Sequence, residues 1–164
     1  FRYASTATVF LAYKTADVAH PLDGVGFIAP RTSRSPLLAS TWVSSKWSHR
    51  APSGHVLLRG FLGGAWGEEI LAKSDEELTR VVANELTPLL GISKAPLFSR
   101  VFRFRNANPQ PLVGHLERVA RLTTELAELK GIYLGGSGID GVGIPDCVRQ
   151  AEEMAAKILV SPLA

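Results

Sequence analysis

Residues 133–147 read YLGGSGIDGVGIPDC. Gly136, Gly138 and Gly141 fit G-x-G-x-x-G, the turn that brings a dinucleotide pyrophosphate to a helix N-terminus. Such a turn works only inside a larger frame. It follows a strand, opens a helix, and is followed by a second parallel strand with an acidic residue about 20 positions on. The first two conditions are met: Gly131-Ile132-Tyr133-Leu134 is an apolar run suited to a buried strand. Pro145 stands where a helix can begin, and Val148, Ala151, Met154, Ala155, Ile158 and Leu159 recur behind it at helical spacing. The third condition fails, because the chain stops at Ala164. The expectation is an incomplete Rossmann-type unit, a glycine-rich strand-to-helix turn whose amides approach something closely. The plainer alternative is a tight turn and nothing more.

Upstream the hydrophobic period is that of strands. Thr6–Tyr13 is rich in Thr, Val, Phe and Leu, and Asp23-Gly24 signals a turn ahead of Val25–Ala29. RTSRSP separates that run from Leu37–Val43, and APSG introduces His55–Phe61. Turn clusters between β-branched and aromatic runs predict an antiparallel meander. The period then changes. Ser74 followed by Glu77 is a capping-box signature; Leu78, Val81, Val82, Leu86 and Leu90 share one helical face, and Gly91 supplies the stop. Leu97–Phe104 is a further strand, NANPQPLVG a proline-rich connector, and His115–Leu129 an amphipathic helix. The predicted class is α/β of an α+β-like kind. Residues 1–105 form an antiparallel sheet with a helix, and residues 106–164 the strand, glycine-rich turn and helix.

Charge and cysteine usage narrow the partners. A net charge of +3, from 18 basic and 15 acidic side chains without a basic block, argues against nucleic acid. Cys147 is the only cysteine, so an internal disulfide is impossible. His20, His49, His55 and His115 lack ligand spacing, and no metal is expected. No apolar run approaches the roughly 18 residues of a membrane span. The chain opens on Phe1, directly in strand-like sequence, as a piece of something longer would.

GVGIPDC, PQ followed by VGHLERV, TW followed by KW and H, and LDGVGF occur here in a distinctive order and spacing. From Ala4 to Leu159 the chain resembles the C-terminal part of porphyrinogen oxidases, the flavin enzymes of haem biosynthesis. TWVSSKWSH looks closer to the Gram-positive, coproporphyrinogen-type branch. The resemblance implies that residues 1–105 belong to a substrate-binding domain and residues 106–164 to the C-terminal portion of an FAD-binding domain. It implies FAD as cofactor, a coproporphyrinogen III or protoporphyrinogen IX as substrate, and O2 as acceptor. Hydride would leave a methylene-bridge carbon for flavin N5, with proton loss elsewhere on the ring. The family's own G-x-G-x-x-G lies near its N-terminus, so the rest of the nucleotide site is expected in a missing N-terminal half. The 164 residues by themselves are then expected to be inactive. A cytoplasmic location follows, with room for peripheral membrane contact. The alternatives are another flavin amine-oxidase or desaturase relative, and a small non-enzymatic module enclosing an apolar ligand.

The resemblance also assigns residues. Val142, Gly143 and Ile144 match the segment whose backbone meets the isoalloxazine, and Gly136 and Ser137 the ribityl or pyrophosphate side. Phe104 falls where the family usually has Trp beside the flavin, Pro111 where it has Tyr, and Ile139 where it has an aromatic. No side chain is assigned as catalytic; His115 is expected to act locally at a helix start, and Asp146 as a first-turn carboxylate. Arg31, Arg34, Lys46, Arg50 and Arg59 are candidates to face propionates, and the sequence does not choose among them.

Overall fold

A computed structural model describes residues 1–160. Its strands are β1 (Arg2–Lys14), β2 (Gly26–Ile28), β3 (Ala39–Trp42), β4 (His55–Gly63) and β5 (Phe98–Gln110). Its helices are α1 (Val43–Lys46), α2 (Asp75–Leu90), α3 (His115–Ala127) and α4 (Ile144–Val160), with short 3₁₀ turns between. The chain divides into two compact units, Ala4–Asn108 and a second made of Phe1–Tyr3 with Pro109 onward.

All five strands form one sheet of order β2-β3-β4-β1-β5. β2, β3 and β4 make the expected meander, whereas β1 inserts between β4 and β5 instead of joining β2. The cause lies in its composition. Ala7, Val9, Leu11 and Tyr13 are buried on one face of β1, Thr8 and Ala12 on the other. A strand buried on both faces belongs in the middle of a sheet. β5 runs antiparallel beside β1, with the Leu97 amide donating to Ala12 O and the Asn108 side-chain amide to Ala4 O.

The proline-rich connector is a second correction, because β5 continues through it to Gln110. Pro109 lacks an N–H, and an edge strand tolerates that on its open side.

α2 is held as its chemistry predicts. The Ser74 amide donates to Glu77 Oε2 at 2.8 Å, and the Glu77 amide to Ser74 Oγ at 3.2 Å. Gly91 closes the helix at φ 58°, in the left-handed region. Leu78, Val82, Leu86 and Leu90 are buried against Val9, Leu11, Leu58 and Leu62 of the sheet. Each fully buried side chain of this size contributes about 1.5–3 kcal/mol. Gly60 permits the close approach, since a Cβ there would stand 2.5 Å from Val82 Cγ1.

Register fixes which residues the other sheet face displays. Thr8 pairs with Phe61, Phe10 with Arg59, and Ala12 with Leu57. Directly opposed residues share a face, so these lie opposite the α2 side. Phe102 of β5 joins them, its ring edge-on to Phe10 at 5.9 Å.

The second unit is thinly packed. α3 buries no residue, and α4 buries only Gln150. The stripe read from the sequence on α4 is exposed at Val148, Ile158 and Leu159; the inward face is Cys147, Gln150 and Met154. The strand expected at residues 131–134 carries no ladder among the described residues. A strand exists only by pairing, and among the described residues no strand lies beside this run.

Candidate functional site

The glycine-rich segment does form a turn that leads into α4. Gln150 spans it: its Oε1 accepts from the Gly136 amide at 2.9 Å, and its Nε2 donates to the Asp140 carbonyl. Arg149 adds an outer brace, with one guanidinium nitrogen 2.8 Å from Asp140 and another 3.1 Å from Glu153. The hydrogen bond that Arg149 donates to Asp140, followed by the one it donates to Glu153, pushes the Arg149 pKa up.

The three fingerprint glycines have different local reasons. Gly138 lies under Tyr3, whose hydroxyl would sit 2.2 Å from an added Cβ. Gly141 has φ 83° and backs onto the Asp146 carboxylate. Gly136, with φ 120°, has open space around it. Two of the three are therefore explained by packing within the unit.

At the mouth of α4 the Cys147 amide donates to Gly143 O at 3.1 Å, which makes Gly143 the N-cap. The Gly143 amide donates in turn to Asp146 Oδ2 at 3.1 Å. This is half a capping box, the other half being absent because glycine has no side chain. The resemblance sets the backbone of both Gly143 and Ile144 against a flavin, but the Gly143 amide is already held by Asp146. The Ile144 amide has no partner among the described residues. Val142 and Ile144 expose their side chains, and Ser137 is half-buried.

His115 has a local task. Its Nε2 donates to the Ile139 carbonyl at 3.0 Å, so that nitrogen carries the proton, and its ring meets Phe1 edge-on. Val142, Gly143, Ile144, Gly136 and Ser137 thus share one turn. Phe104 belongs to the other unit, where it is partly exposed on the sheet.

The basic candidates separate clearly. Arg31 stacks on Trp66 at 4.8 Å; Lys46 and Arg50 lie over Trp47; Arg34 is exposed. Arg59 differs from all of them. Its guanidinium carbon lies 4.6 Å from the Phe61 ring centroid and 5.6 Å from that of Phe10. Sequence reasoning named Arg59 but missed both rings, although alternation along β1 and β4 was the available signal. No group of His, Cys, Asp and Glu suited to a metal occurs among the described residues. None of their helices is long and apolar enough to cross a membrane.

The model for the flavin containing amine oxidoreductases matches residues 1–159. The chain belongs to that family. Its relatives within the flavin amine oxidoreductases bear out the resemblance read from GVGIPDC. The coproporphyrinogen III oxidase of Bacillus subtilis is 35% identical over 156 residues, covering 94% of this chain and 33% of that protein. The chloroplastic protoporphyrinogen oxidase of Nicotiana tabacum is 38% identical over 141 residues, covering 84% of this chain and 26% of that one. A crystal structure assigned as a protoporphyrinogen oxidase from Exiguobacterium sp. 255-15 superposes with a TM-score of 0.85 at 35% identity. It is covered to 35% of its length, and this chain to 96%. The chain therefore spans about a third of the length of these relatives.

Proposed function

We propose that this chain is the C-terminal part of an FAD-dependent oxidase that aromatises a porphyrinogen, coproporphyrinogen III or protoporphyrinogen IX, with O2 as acceptor. The observation that carries the reading is the 35% identity to a coproporphyrinogen III oxidase across both units. The Ala4–Asn108 unit is its substrate-side domain, and the turn with α3 and α4 is part of its FAD-binding domain.

The turn suits a flavin on one structural count. The Ile144 amide points from the first residue of a 17-residue helix and has no protein partner among the described residues. The positive end of the helix dipole there favours negative charge. Bound flavin supplies hydride acceptance; this chain's part is to offer the Ile144 amide and the backbone around Val142 and Gly143, and to close the site with exposed apolar side chains. Gly143 itself contributes closeness of approach, its N–H being held by Asp146. Within the turn, Gly136 and Ser137 serve the ribityl or pyrophosphate portion.

The adenosine contacts reside in a further segment, so the 164 residues alone are neither flavoprotein nor oxidase. A few backbone hydrogen bonds contribute roughly 0.5–1.5 kcal/mol each, against several kcal/mol for ordering ligand and turn. Titration with FAD should give no micromolar binding, and coproporphyrinogen should oxidise only at its spontaneous rate. Micromolar affinity or turnover would overturn the half-site reading. The chain fused behind the portion of the Bacillus subtilis relative that precedes its matched region should hold FAD and generate porphyrin fluorescence. A folded, flavin-loaded fusion that leaves both porphyrinogens unoxidised overturns the substrate reading.

A further inference from the structure

Arg59 is a cation placed where a protein ordinarily places a pair. It sits in the middle of the sheet, opposite Phe10 on β1 and Thr41 on β3. Its Nε is shut off from solvent and has no hydrogen-bond partner among the described residues. No acidic side chain forms an ion pair with it among those residues, whereas Arg103 pairs with Asp75 and Arg149 with Asp140. Burial pulls its pKa down. The rings of Phe10 and Phe61 offset part of that desolvation by cation–π contact and hold the guanidinium plane in place.

The surrounding face has one sign of charge. Register and alternation place Lys14, Arg59 and Arg100 on the side away from α2, among Phe10, Phe61 and Phe102, with no acidic strand residue on that side. A ligand fitted to this surface is apolar and flat, to lie on phenyl rings, and carries carboxylate, to complete the guanidinium. Guanidinium and carboxylate match as a planar fork, which lysine does not reproduce.

We propose that Arg59 is the anchor for a carboxylate side arm of the tetrapyrrole substrate, seated on the open sheet face beside Phe10 and Phe61. This rests on the porphyrinogen reading above and goes beyond it by choosing one residue of the basic set. Phe10 and Phe61 are positioning residues, acting through the orientation they give the guanidinium.

The test compares coproporphyrin III, a stable tetracarboxylate, with its tetramethyl ester, by quenching of tryptophan fluorescence in the 164-residue chain. The wild type should bind the acid about tenfold more tightly than the ester, the scale of one charge-assisted hydrogen-bonded pair. Arg59→Gln and Arg59→Met, each checked for native circular dichroism, should bring the two ligands to within about twofold by weakening the acid alone. Arg59→Lys should fall between. A wild-type acid preference that survives both neutral substitutions overturns the Arg59 assignment and leaves the porphyrinogen reading standing. A wild-type chain that binds neither ligand overturns the Arg59 assignment.

Discussion

Gln150 and Gly136 are joined side chain to backbone at 2.9 Å across the glycine-rich turn, and the same side-chain amide donates a hydrogen bond to the Asp140 carbonyl. One buried residue of α4 thus closes the turn from both ends. Gln150→Leu keeps the volume and removes both bonds. It leaves the Gly136 amide and the Asp140 carbonyl to find water, at a cost of about 1–3 kcal/mol. Hydrogen exchange should accelerate at Gly136 while the amides of β1 and β4 stay protected. Unchanged exchange at Gly136 would remove Gln150 from this role.

Gly60 is required by its neighbour and not by its backbone. A methyl group there meets Val82 Cγ1 at 2.5 Å and Leu37 Cδ2 at 3.2 Å. Gly60→Ala should destabilise by about 1–3 kcal/mol through overpacking. Val82→Ala in the same chain should recover part of that loss, although alone it leaves a cavity. Urea unfolding of the two single variants and the double variant forms the cycle. Strict additivity would refute the steric account.

The capping box sets part of the acid limb of stability. The Ser74 amide, bonded to Glu77, holds that carboxylate below its ordinary value of 4.5. A depressed folded pKa contributes stability above the unfolded value and loses it as pH falls through the folded one. Glu77→Gln keeps the acceptor oxygen and removes the titration, so its urea midpoint should decline less between pH 5 and pH 3 than that of the wild type, a window set by the lowered pKa. Ser74→Ala should cost about 0.5–2 kcal/mol at neutral pH, read as a lower Tm.

Tyr13 carries the opposite sign at the alkaline end. Its hydroxyl is buried without a hydrogen-bond partner among the described residues, and burial pushes its pKa up to about 12. A raised folded pKa means stability that is intact below the unfolded value, about 10, and is lost as pH rises toward the folded one. Tyr13→Phe removes an unsatisfied polar group, so stability at pH 7 should hold or rise. The loss of Tm between pH 10 and pH 12 should shrink in that variant. A large loss at neutral pH would show that the hydroxyl has a partner.

By itself the sequence determined whatever is settled within a few residues. The Ser74–Glu77 box, the Gly91 stop, the period of α2 and the start of α4 close to Pro145 depend on near neighbours and on helical geometry. Each was legible from residue type and spacing, as was the family through GVGIPDC. Tertiary structure decided what depends on pairing between distant segments. β1 took the centre of the sheet because it carries buried residues on both faces, and β5 ran on through Pro109 as an edge strand. Residues 131–134 formed no strand, since an apolar run becomes one only against another backbone. The same holds for the candidate site. Arg59 differs from Arg31, Arg34, Lys46 and Arg50 only after β1 and β4 are in register, when two phenyl rings from different strands flank a charge that no acid among the described residues pairs with.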